Sequence, residues 1–184
     1  MKDWQPDKKW TLFLDRDGVV NRKIDHDYVR NPDQFVWMPG IFRTLRYLQQ
    51  IFGRIVVVTN QQGVAKGLMS EADLIEVMEY MKAGLAEQEI EIAGYYFCPH
   101  FADAGCDCRK PRTGMGLQAQ ADFAEIDFDR SLMVGDSISD MHFGRGLGMK
   151  TVYLHNHRSY EAPEGLIDIV VPTLLQLMQG MEQS

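Results

Sequence analysis

Two aspartates, one residue apart, end the first apolar run of the chain, and this pair constrains the fold most. The run from Thr11 to Leu14 is continuous rather than alternating, which is typical of a central strand in a parallel sheet. Asp15 and Asp17 follow directly, with Gly18 behind them. Buried carboxylates cost free energy unless cations or hydrogen-bond donors pair with them. The pair therefore predicts a cation-assisted phosphoryl-transfer site or, in the simpler interpretation, an ordinary turn.

The rest of the chain alternates between strand-like and helix-like patterns. Further strands are expected over residues 54–58, 92–97, 132–134, 150–154 and 167–171. Helices are expected between Gly40 and Gly53 and over residues 70–89, 115–123, 140–147 and 173–181. This alternation predicts an α/β fold with a parallel sheet and helices on both faces, in a single domain spanning residues 1–184.

The net charge and the composition limit the classes of partner that this chain could bind. A net charge of −7 argues against a general nucleic-acid binder, but a small phosphorylated ligand remains compatible with it. No apolar run approaches the roughly 20 residues of a membrane helix, so no membrane partner is expected. The first nine residues are polar and resemble no signal peptide. We therefore expect a cytoplasmic protein, and a monomer.

The two aspartates suit two different chemical tasks. Asp15 is the candidate nucleophile, because a carboxylate can form an aspartyl-phosphate and divide one difficult displacement into two. Asp17 is the candidate acid and base for the leaving oxygen and the attacking water. The charge of Asp15 is expected to raise the pKa of Asp17, which favours the acid role, while bound Mg²⁺ would oppose this shift.

Later segments supply the remaining parts of such a site, because carboxyl ends of parallel strands share one edge. Thr59 could bind phosphate oxygens, unless it is only a β-branched strand end. Lys110 would neutralise charge between nucleophile and phosphoryl group, and Arg109 would hold phosphate or sugar oxygens, unless their loop is only solvated surface. Asp136 would join Asp15 and the Asp17 carbonyl around Mg²⁺. Asp140 either binds the ion through water or caps the next helix.

The chain has 3 cysteines, all between residues 98 and 108. Cys98, Cys106 and Cys108 with His100 are a complete ligand set for a closed tetrahedral Zn²⁺ site, and a cluster of buried thiols without metal is the simpler alternative. A closed site leaves no position for catalysis. We therefore predict a structural zinc that fixes the conformation of the loop carrying Arg109 and Lys110.

In order, these motifs resemble those of the haloacid dehalogenase phosphatase superfamily. Its four motifs match Asp15-x-Asp17-Gly, Thr59, Lys110 and Gly135-Asp136-x3-Asp140. The resemblance covers about Thr11 to Leu154. It implies a Rossmann-like core without a large cap domain, Mg²⁺ for catalysis and Zn²⁺ for the loop.

The loop narrows the resemblance to the D-glycero-D-manno-heptose 1,7-bisphosphate 7-phosphatases and the related histidinol-phosphate phosphatases. His26-Asp27-Tyr28-Val29 resembles the heptose family's His-Gly-Tyr-Val, and Thr59 to Gly67 resembles its Thr-Asn-Gln-Ser-Gly-Ile-Ala-Arg-Gly. Removal of the 7-phosphate in the synthesis of nucleotide-activated heptose is therefore implied. The substrate contacts implied are Asp25, His26, Asp27, Tyr28, Asn60, Gln61, Gln62, Arg109 and Lys110.

Alternatives remain. The short spacing from His100 to Cys106 is shared with histidinol-phosphate phosphatases, and Lys66 replaces the heptose family's arginine. A phosphoacceptor signalling module also uses Asp, Thr and Lys, but Asp17 and the cysteine loop argue against it. A zinc-stapled binding protein with an inactive phosphatase site would lack the nucleophile or Lys110, and both are present.

Overall fold

The computed structural model describes residues 5–156 and 163–183. The strands are β1 (Thr11–Leu14), β2 (Arg54–Asn60), β3 (Gly94–Cys98), β4 (Ser131–Gly135), β5 (Lys150–Leu154) and β6 (Ile169–Val171). The α-helices are α1 (Ile41–Ile51), α2 (Glu71–Ala86), α3 (Gly114–Asp122), α4 (Ile138–Gly146) and α5 (Leu174–Glu182). Two short 3₁₀ helices, Pro32–Gln34 and Phe128–Arg130, were not predicted.

The strands form one sheet in the order β3-β2-β1-β4-β5-β6, and every neighbouring pair is parallel. β1 lies between β2 and β4, with Leu14 opposite Val57 on one side and Val134 on the other. The predicted parallel α/β fold is thus confirmed. The continuous apolar run of β1 is explained by its central position, because it is buried along its whole length.

Both faces of the sheet are covered. Leu12 and Leu14 of β1 join a core built with apolar residues of α1, α2 and α5, whereas Phe13 points to the other core, with residues of α3 and α4. This alternation follows the two-residue period of a strand, and it explains why the run needs no polar position. The predicted helices on both faces are confirmed.

Helix ends follow local signals. Ser70 caps α2, and its hydroxyl and the Asp73 carboxylate form a capping box. The helix ends at Ala86 rather than near Glu89, because Glu89 takes a positive φ of 59° that breaks the helical path. Ser137 caps α4, so that helix begins at Ile138, two residues earlier than predicted.

Two long connections, residues 15–40 and 99–113, overhang the carboxyl edge of the sheet. Aromatic contacts anchor the first, since the Phe35 and Trp37 rings lie 4.8 Å apart and Trp37 lies 4.8 Å from Phe42 of α1. Neither connection forms a large cap domain within the described residues, as expected. Among those residues, no helix is both long and apolar enough to cross a bilayer.

Candidate active site

The carboxyl ends of the central strands gather the predicted catalytic side chains. Asp15 is the first residue beyond β1, and its backbone N–H donates to the Val134 carbonyl of β4 at 3.0 Å. Asp136 follows the end of β4 in the same way. The parallel register therefore brings two carboxylates that are distant in the chain to neighbouring strand ends.

Lys110 is the central cation of this edge. Its Nζ lies 2.8 Å from Asp15 Oδ1, 2.6 Å from Asp140 Oδ1 and 2.7 Å from the Val58 carbonyl oxygen. Burial works to lower the pKa of Lys110, but the charges of Asp140 and Asp15 outweigh burial and raise the pKa to about 12. Lys110 is therefore charged at neutral pH and in contact with the candidate nucleophile.

Asp140 uses its two carboxylate oxygens differently. Oδ2 accepts from the Ser137 backbone N–H at 3.0 Å and from the Ser137 hydroxyl at 2.7 Å, which caps α4. Oδ1 forms the ion pair with Lys110. The helix-cap interpretation of Asp140 is correct for one oxygen, and the other faces the catalytic edge.

Asp15, Asp136 and Asp140 form what we call the acidic cluster, with one oxygen of each lying within 4.8 Å of the others. Burial raises the pKa of Asp15 to about 7, against the opposing charge of Lys110. Burial also raises the pKa of Asp136, and Oδ1 of this residue is buried without a hydrogen-bond partner in the described part of the chain. An unpaired hard oxygen beside two further carboxylates fits a divalent cation such as Mg²⁺.

Asp17 is held by neighbours that the sequence did not reveal. Arg16 is fully buried, and its Nη2 donates to both carboxylate oxygens of Asp17, at 3.0 and 2.8 Å. Asn21 Nδ2 and Gln61 Nε2 donate to the same carboxylate, at 2.8 and 2.7 Å. Burial works to raise the pKa of Asp17, but the Arg16 charge and these hydrogen bonds lower it. The expected rise caused by Asp15 is therefore wrong for this arrangement.

Residues at the end of β2 form hydrogen bonds that hold Asp17 and the Lys110 loop in place. Thr59 Oγ1 accepts from Gln61 Nε2 at 2.9 Å, and both side chains are buried. Gln61, grouped with the substrate contacts in the sequence, thus lies behind the site and links Thr59 to Asp17. Asn60 makes reciprocal 3.0 Å hydrogen bonds with the backbone of Lys110, which fixes the lysine loop to β2.

A cavity of about 210 Å³ opens at this edge. Its wall contains the predicted residues Asp15, Asp17, Asp27, Tyr28, Thr59, Asn60, Lys110, Asp136 and Asp140, together with Lys23, Ser137 and Ser139. The predicted contacts Asp25, His26, Gln61, Gln62 and Arg109 lie outside this wall. The volume is below the roughly 300 Å³ of a small ligand pocket, so it suits a phosphoryl group better than a whole sugar.

The loop over the cavity presents only part of the predicted substrate segment. Asp27 pairs with Arg30 at 2.6 Å, and Lys66 Nζ lies 3.4 Å from the Tyr28 hydroxyl and 5.4 Å from the ring centroid. Asp25 and His26 are exposed, and His26 has a φ of 59°. Asp27 and Tyr28 therefore face the cavity, and their two predecessors face solvent.

Cys98, His100, Cys106 and Cys108, which we call the thiol cluster, converge as predicted. Sγ of Cys98 lies 3.5 Å from Sγ of Cys106 and 3.0 Å from Sγ of Cys108, and His100 Nδ1 lies 3.2 Å from Cys108 Sγ. Ligands of a tetrahedral zinc with bonds of about 2.3 Å are separated by about 3.8 Å, so the four atoms are close to a zinc-binding arrangement.

The surroundings shift the pKa values of the three thiols in different directions. Burial works to raise the pKa of Cys106, but the Arg109 backbone N–H and the neighbouring thiols hold it near 7, lower than usual. Burial raises the pKa of Cys98 and Cys108. A metal would favour the thiolate at all three positions.

Arg109 extends from the thiol cluster toward β2. Its Nη2 donates to Gln62 Oε1 at 3.2 Å, and its Nη1 donates to the His100 carbonyl at 3.3 Å. Both predicted contacts thus lie together beside the cavity, where Arg109 is half-buried and its guanidinium is oriented by the loop. A larger cavity of about 940 Å³ lies at the opposite edge of the sheet, lined by Arg54, Glu91 and others, away from both clusters.

The structure adds three side chains that the sequence analysis missed. Arg16 could have been suspected as a cation between two carboxylates, although only the fold shows that it is buried. Ser137 belongs to a readable Ser-x-x-Asp capping signature. Lys23 pairs with Asp136 at 3.0 Å across the cavity, and nothing in its local sequence signals this contact.

Known proteins match the chain over most of its length. The family model described as Polynucleotide kinase 3 phosphatase matches residues 11–158. A D-glycero-alpha-D-manno-heptose-1,7-bisphosphate 7-phosphatase of Mycobacterium tuberculosis is 44% identical over 76% of this chain and 73% of its own length. A D-glycero-beta-D-manno-heptose-1,7-bisphosphate 7-phosphatase of Haemophilus influenzae is 38% identical over 90% of this chain and 93% of its own.

A solved structure extends the similarity to three dimensions. The D,D-heptose 1,7-bisphosphate phosphatase from B. bronchiseptica, complexed with magnesium and phosphate, superposes with a TM-score of 0.82 at 31% identity. The match covers 95% of this chain and 98% of that one. The chain therefore belongs to the haloacid dehalogenase superfamily of phosphatases, within the family of the D-glycero-D-manno-heptose 1,7-bisphosphate 7-phosphatases.

Proposed function

We propose that this chain is a Mg²⁺-dependent phosphatase that removes the 7-phosphate of D-glycero-D-manno-heptose 1,7-bisphosphate through an aspartyl-phosphate on Asp15. The observation that carries the proposal is the Lys110 ammonium, which bridges Asp15 and Asp140 beside the unpaired Oδ1 of Asp136. This arrangement supplies a nucleophile, a fixed cation and a place for a metal within one cavity.

Asp15 and Lys110 would perform the first displacement. The Asp15 carboxylate attacks phosphorus, and the bond to the sugar oxygen breaks. Lys110, at 2.8 Å, orients the attacking carboxylate and offsets the negative charge that gathers on the phosphoryl oxygens. Its buried position, fixed by the Val58 carbonyl, means that little reorganisation is needed at the moment of reaction.

Asp17 would move the protons. It lines the cavity beside Asp15, so its carboxyl group can protonate the leaving oxygen and then accept a proton from the attacking water. Its pKa is low in the present arrangement, because Arg16 and its hydrogen-bond donors favour the charged form. The negative charge of a bound phosphoryl group would raise this pKa and so favour the protonated form.

Two metal ions complete the proposal. Asp15, Asp136 and the carbonyl of Asp17 would hold Mg²⁺, with Asp140 nearby, and the ion would supply electrostatic stabilisation of the phosphoryl oxygens. The thiol cluster would hold one structural Zn²⁺. The single-domain organisation over residues 1–184, the monomeric state and the cytoplasmic location stay predictions.

A sugar bisphosphate suits the cations around the cavity. Lys110 and Lys23 contact carboxylates of the reaction centre, whereas Lys66 rests on Tyr28 and Arg109 lies beside Gln62. Cations outside the centre offer partners for a second phosphate in a chain whose net charge is −7. The relatives are named for the alpha or the beta anomer, so the proposal covers both.

The test is phosphate release from both anomers of the heptose bisphosphate and from histidinol phosphate, with Asp15→Asn protein as the blank. We expect at least one anomer to exceed histidinol phosphate in kcat/KM by about a hundredfold, because a site built for polar partners rejects a substrate that leaves them unpaired. Equal or faster turnover of histidinol phosphate would favour the histidine-biosynthetic alternative. A single stoichiometric phosphorylation without turnover would favour the signalling module.

A further inference from the structure

Lys23, in the overhanging connection of residues 15–40, is a second cation of the cavity wall that contacts the acidic cluster, beside Lys110. Its Nζ lies 3.0 Å from Asp136 Oδ2, and the two residues are 113 positions apart in the chain. Asp136 Oδ1 is buried and unpaired within the described residues. Lys23 therefore neutralises one oxygen of a carboxylate whose other oxygen is free for a metal.

Lys23 and Lys110 differ in mobility. The Lys110 side chain is 2% exposed and contacts two carboxylates and a carbonyl, so its ammonium has no route out of the site. The Lys23 side chain is 52% exposed and its ammonium makes one ion pair. Leaving that pair returns the ammonium to water, and a metal bound at Asp136 would replace the lost positive charge, so Lys23 is the cation that can move.

The charges of the site favour movement of Lys23 away from Asp136 when a metal binds. Three clustered carboxylates face two ammonium groups, those of Lys110 and Lys23. A divalent cation on Asp136 Oδ1 would repel the Lys23 ammonium on Oδ2, because two positive charges would share one carboxylate. With the cation bound, the site would carry one positive charge in excess, which favours binding of an anion such as a phosphoryl group.

We propose that Lys23 is an exchangeable counter-ion: it pairs with Asp136 before the metal binds, and then turns to the phosphoryl oxygens in the cavity. Lys23 thereby opposes binding of the metal alone and favours binding of phosphate once the metal is present. Metal and phosphate are coupled through one side chain, and the coupling is reciprocal. The proposal rests on the proposed phosphatase function, and it assigns a phosphate-positioning residue to the same site.

Calorimetric titration of the intact chain tests this without turnover. Mg²⁺ is titrated in the absence of phosphate, and inorganic phosphate is titrated at saturating Mg²⁺, with wild type and Lys23→Met. We expect the variant to bind Mg²⁺ about three- to tenfold more tightly and phosphate about three- to tenfold more weakly, as loss of a partly exposed ion pair allows. Lys23→Arg should restore phosphate affinity.

Arg22→Met is the matched control, since Arg22 is exposed, lies next to Lys23 and is outside the cavity wall. It removes the same charge and should change both affinities less than twofold. Unchanged or weaker Mg²⁺ affinity in Lys23→Met, unchanged phosphate affinity, or an equal effect of Arg22→Met overturns the proposal. If no heptose bisphosphate is hydrolysed, the proposed function fails, and these affinities still decide the role of Lys23.

Discussion

The acidic cluster and the thiol cluster are assembled in opposite ways. The thiol cluster comes from one segment, residues 98–108, whose ligands are near each other in any compact form of the loop. The acidic cluster comes from positions 15, 136 and 140, which meet only because β1 and β4 are neighbours in the sheet. Short-range spacing therefore encodes one site, and the topology of the whole domain encodes the other.

The two clusters also differ in electrostatics. Burial raises the pKa of Asp15 and Asp136, so the acidic cluster keeps an unfavourable charge in the fold. Functional sites often hold such charge, because it is used in binding and catalysis. The thiol cluster instead anchors the backbone of Arg109, whose neighbour Lys110 enters the active site. Changes to the first cluster should affect rate, and changes to the second should affect stability first.

The largest expected effect follows from Asp15→Asn. The variant keeps the shape of the side chain but loses the nucleophile, so kcat should fall by about 10⁴-fold or more. Stability should not fall, because the replaced carboxylate is buried with a pKa raised to about 7 and its ionised form is costly in the fold. Phosphate release and urea unfolding at pH 7.5 measure the two effects. Retained turnover would exclude Asp15 as the nucleophile.

The thiol cluster should show the reverse pattern. Cys108→Ser should lose the bound zinc and disorder the loop, with kcat falling about 10- to 100-fold through misplacement of Arg109 and Lys110. The thermal midpoint should drop, and proteolytic cleavage should appear within residues 99–113. Zinc content, melting and kcat are measured together on protein prepared without chelator. Loss of turnover as deep as in Asp15→Asn with an unchanged midpoint would contradict the division of roles.

Replacing Gly18 by alanine tests whether the close approach of the backbone at Gly18 to Asp136 is needed for the acidic cluster to bind Mg²⁺. Its φ is +89°, and a Cβ there would lie 2.3 Å from Asp136 Oδ2, so alanine should displace the carboxylate. Gly67 also has a positive φ, +68°, but a Cβ there would meet nothing within 4 Å. Both alanine variants should lose about 1 kcal/mol of stability from backbone strain.

Only Gly18→Ala should weaken Mg²⁺ binding, by about tenfold or more, with a matching loss of kcat/KM. Urea unfolding, Mg²⁺ titration and steady-state kinetics on both variants separate strain from contact. Equal Mg²⁺ affinity in the two variants would mean that the approach of Gly18 to Asp136 does not shape the site.

Much of this architecture could be predicted because local rules agree with the fold. The burial of Thr11–Leu14 followed from its continuous apolar run, and the Ser70 cap followed from a short-range signature. Parallel strands place their ends at one edge, which was enough to bring Asp15 and Asp136 together from sequence.

The unpredicted parts depend on contacts that cross the chain. The burial of Arg16 could not be predicted, because a charged residue in a polar turn is usually exposed. In the fold, Arg16 is fully buried and its Nη1 lies 3.5 Å from the Met78 sulfur of α2. The predicted rise in the pKa of Asp17 was wrong for that reason, because it left out the buried Arg16 charge. Lys23 was missed because its partner, Asp136, lies in the other half of the sheet.

Replacing Asp168 should have the smallest effect of these substitutions. Asp168 also contrasts with the acidic cluster, because Arg145 and Thr151 supply hydrogen bonds to its carboxylate and no metal is needed. Its Oδ2 accepts from Arg145 Nη2 at 2.6 Å and from the Thr151 backbone N–H at 2.9 Å, which ties the segment before β6 to α4 and β5. Burial works to raise the pKa of Asp168, but these donors lower it below its usual 3.8. Asp15 and Asp136 each have a lysine partner as well, but burial and the neighbouring carboxylates outweigh it and shift their pKa values the other way.

A lowered folded-state pKa contributes stability above the unfolded value, and this contribution is lost as the pH falls through the folded value. Asp168→Asn should therefore be less stable than wild type by about 0.5–1 kcal/mol at pH 7, the range of a partly exposed ion pair. The difference should shrink as the pH drops below about 4, where wild-type Asp168 begins to take up its proton. Urea midpoints of both proteins from pH 7 to pH 3 measure it. A difference that stays constant across this range would show that the Arg145 contact acts through packing and not through charge.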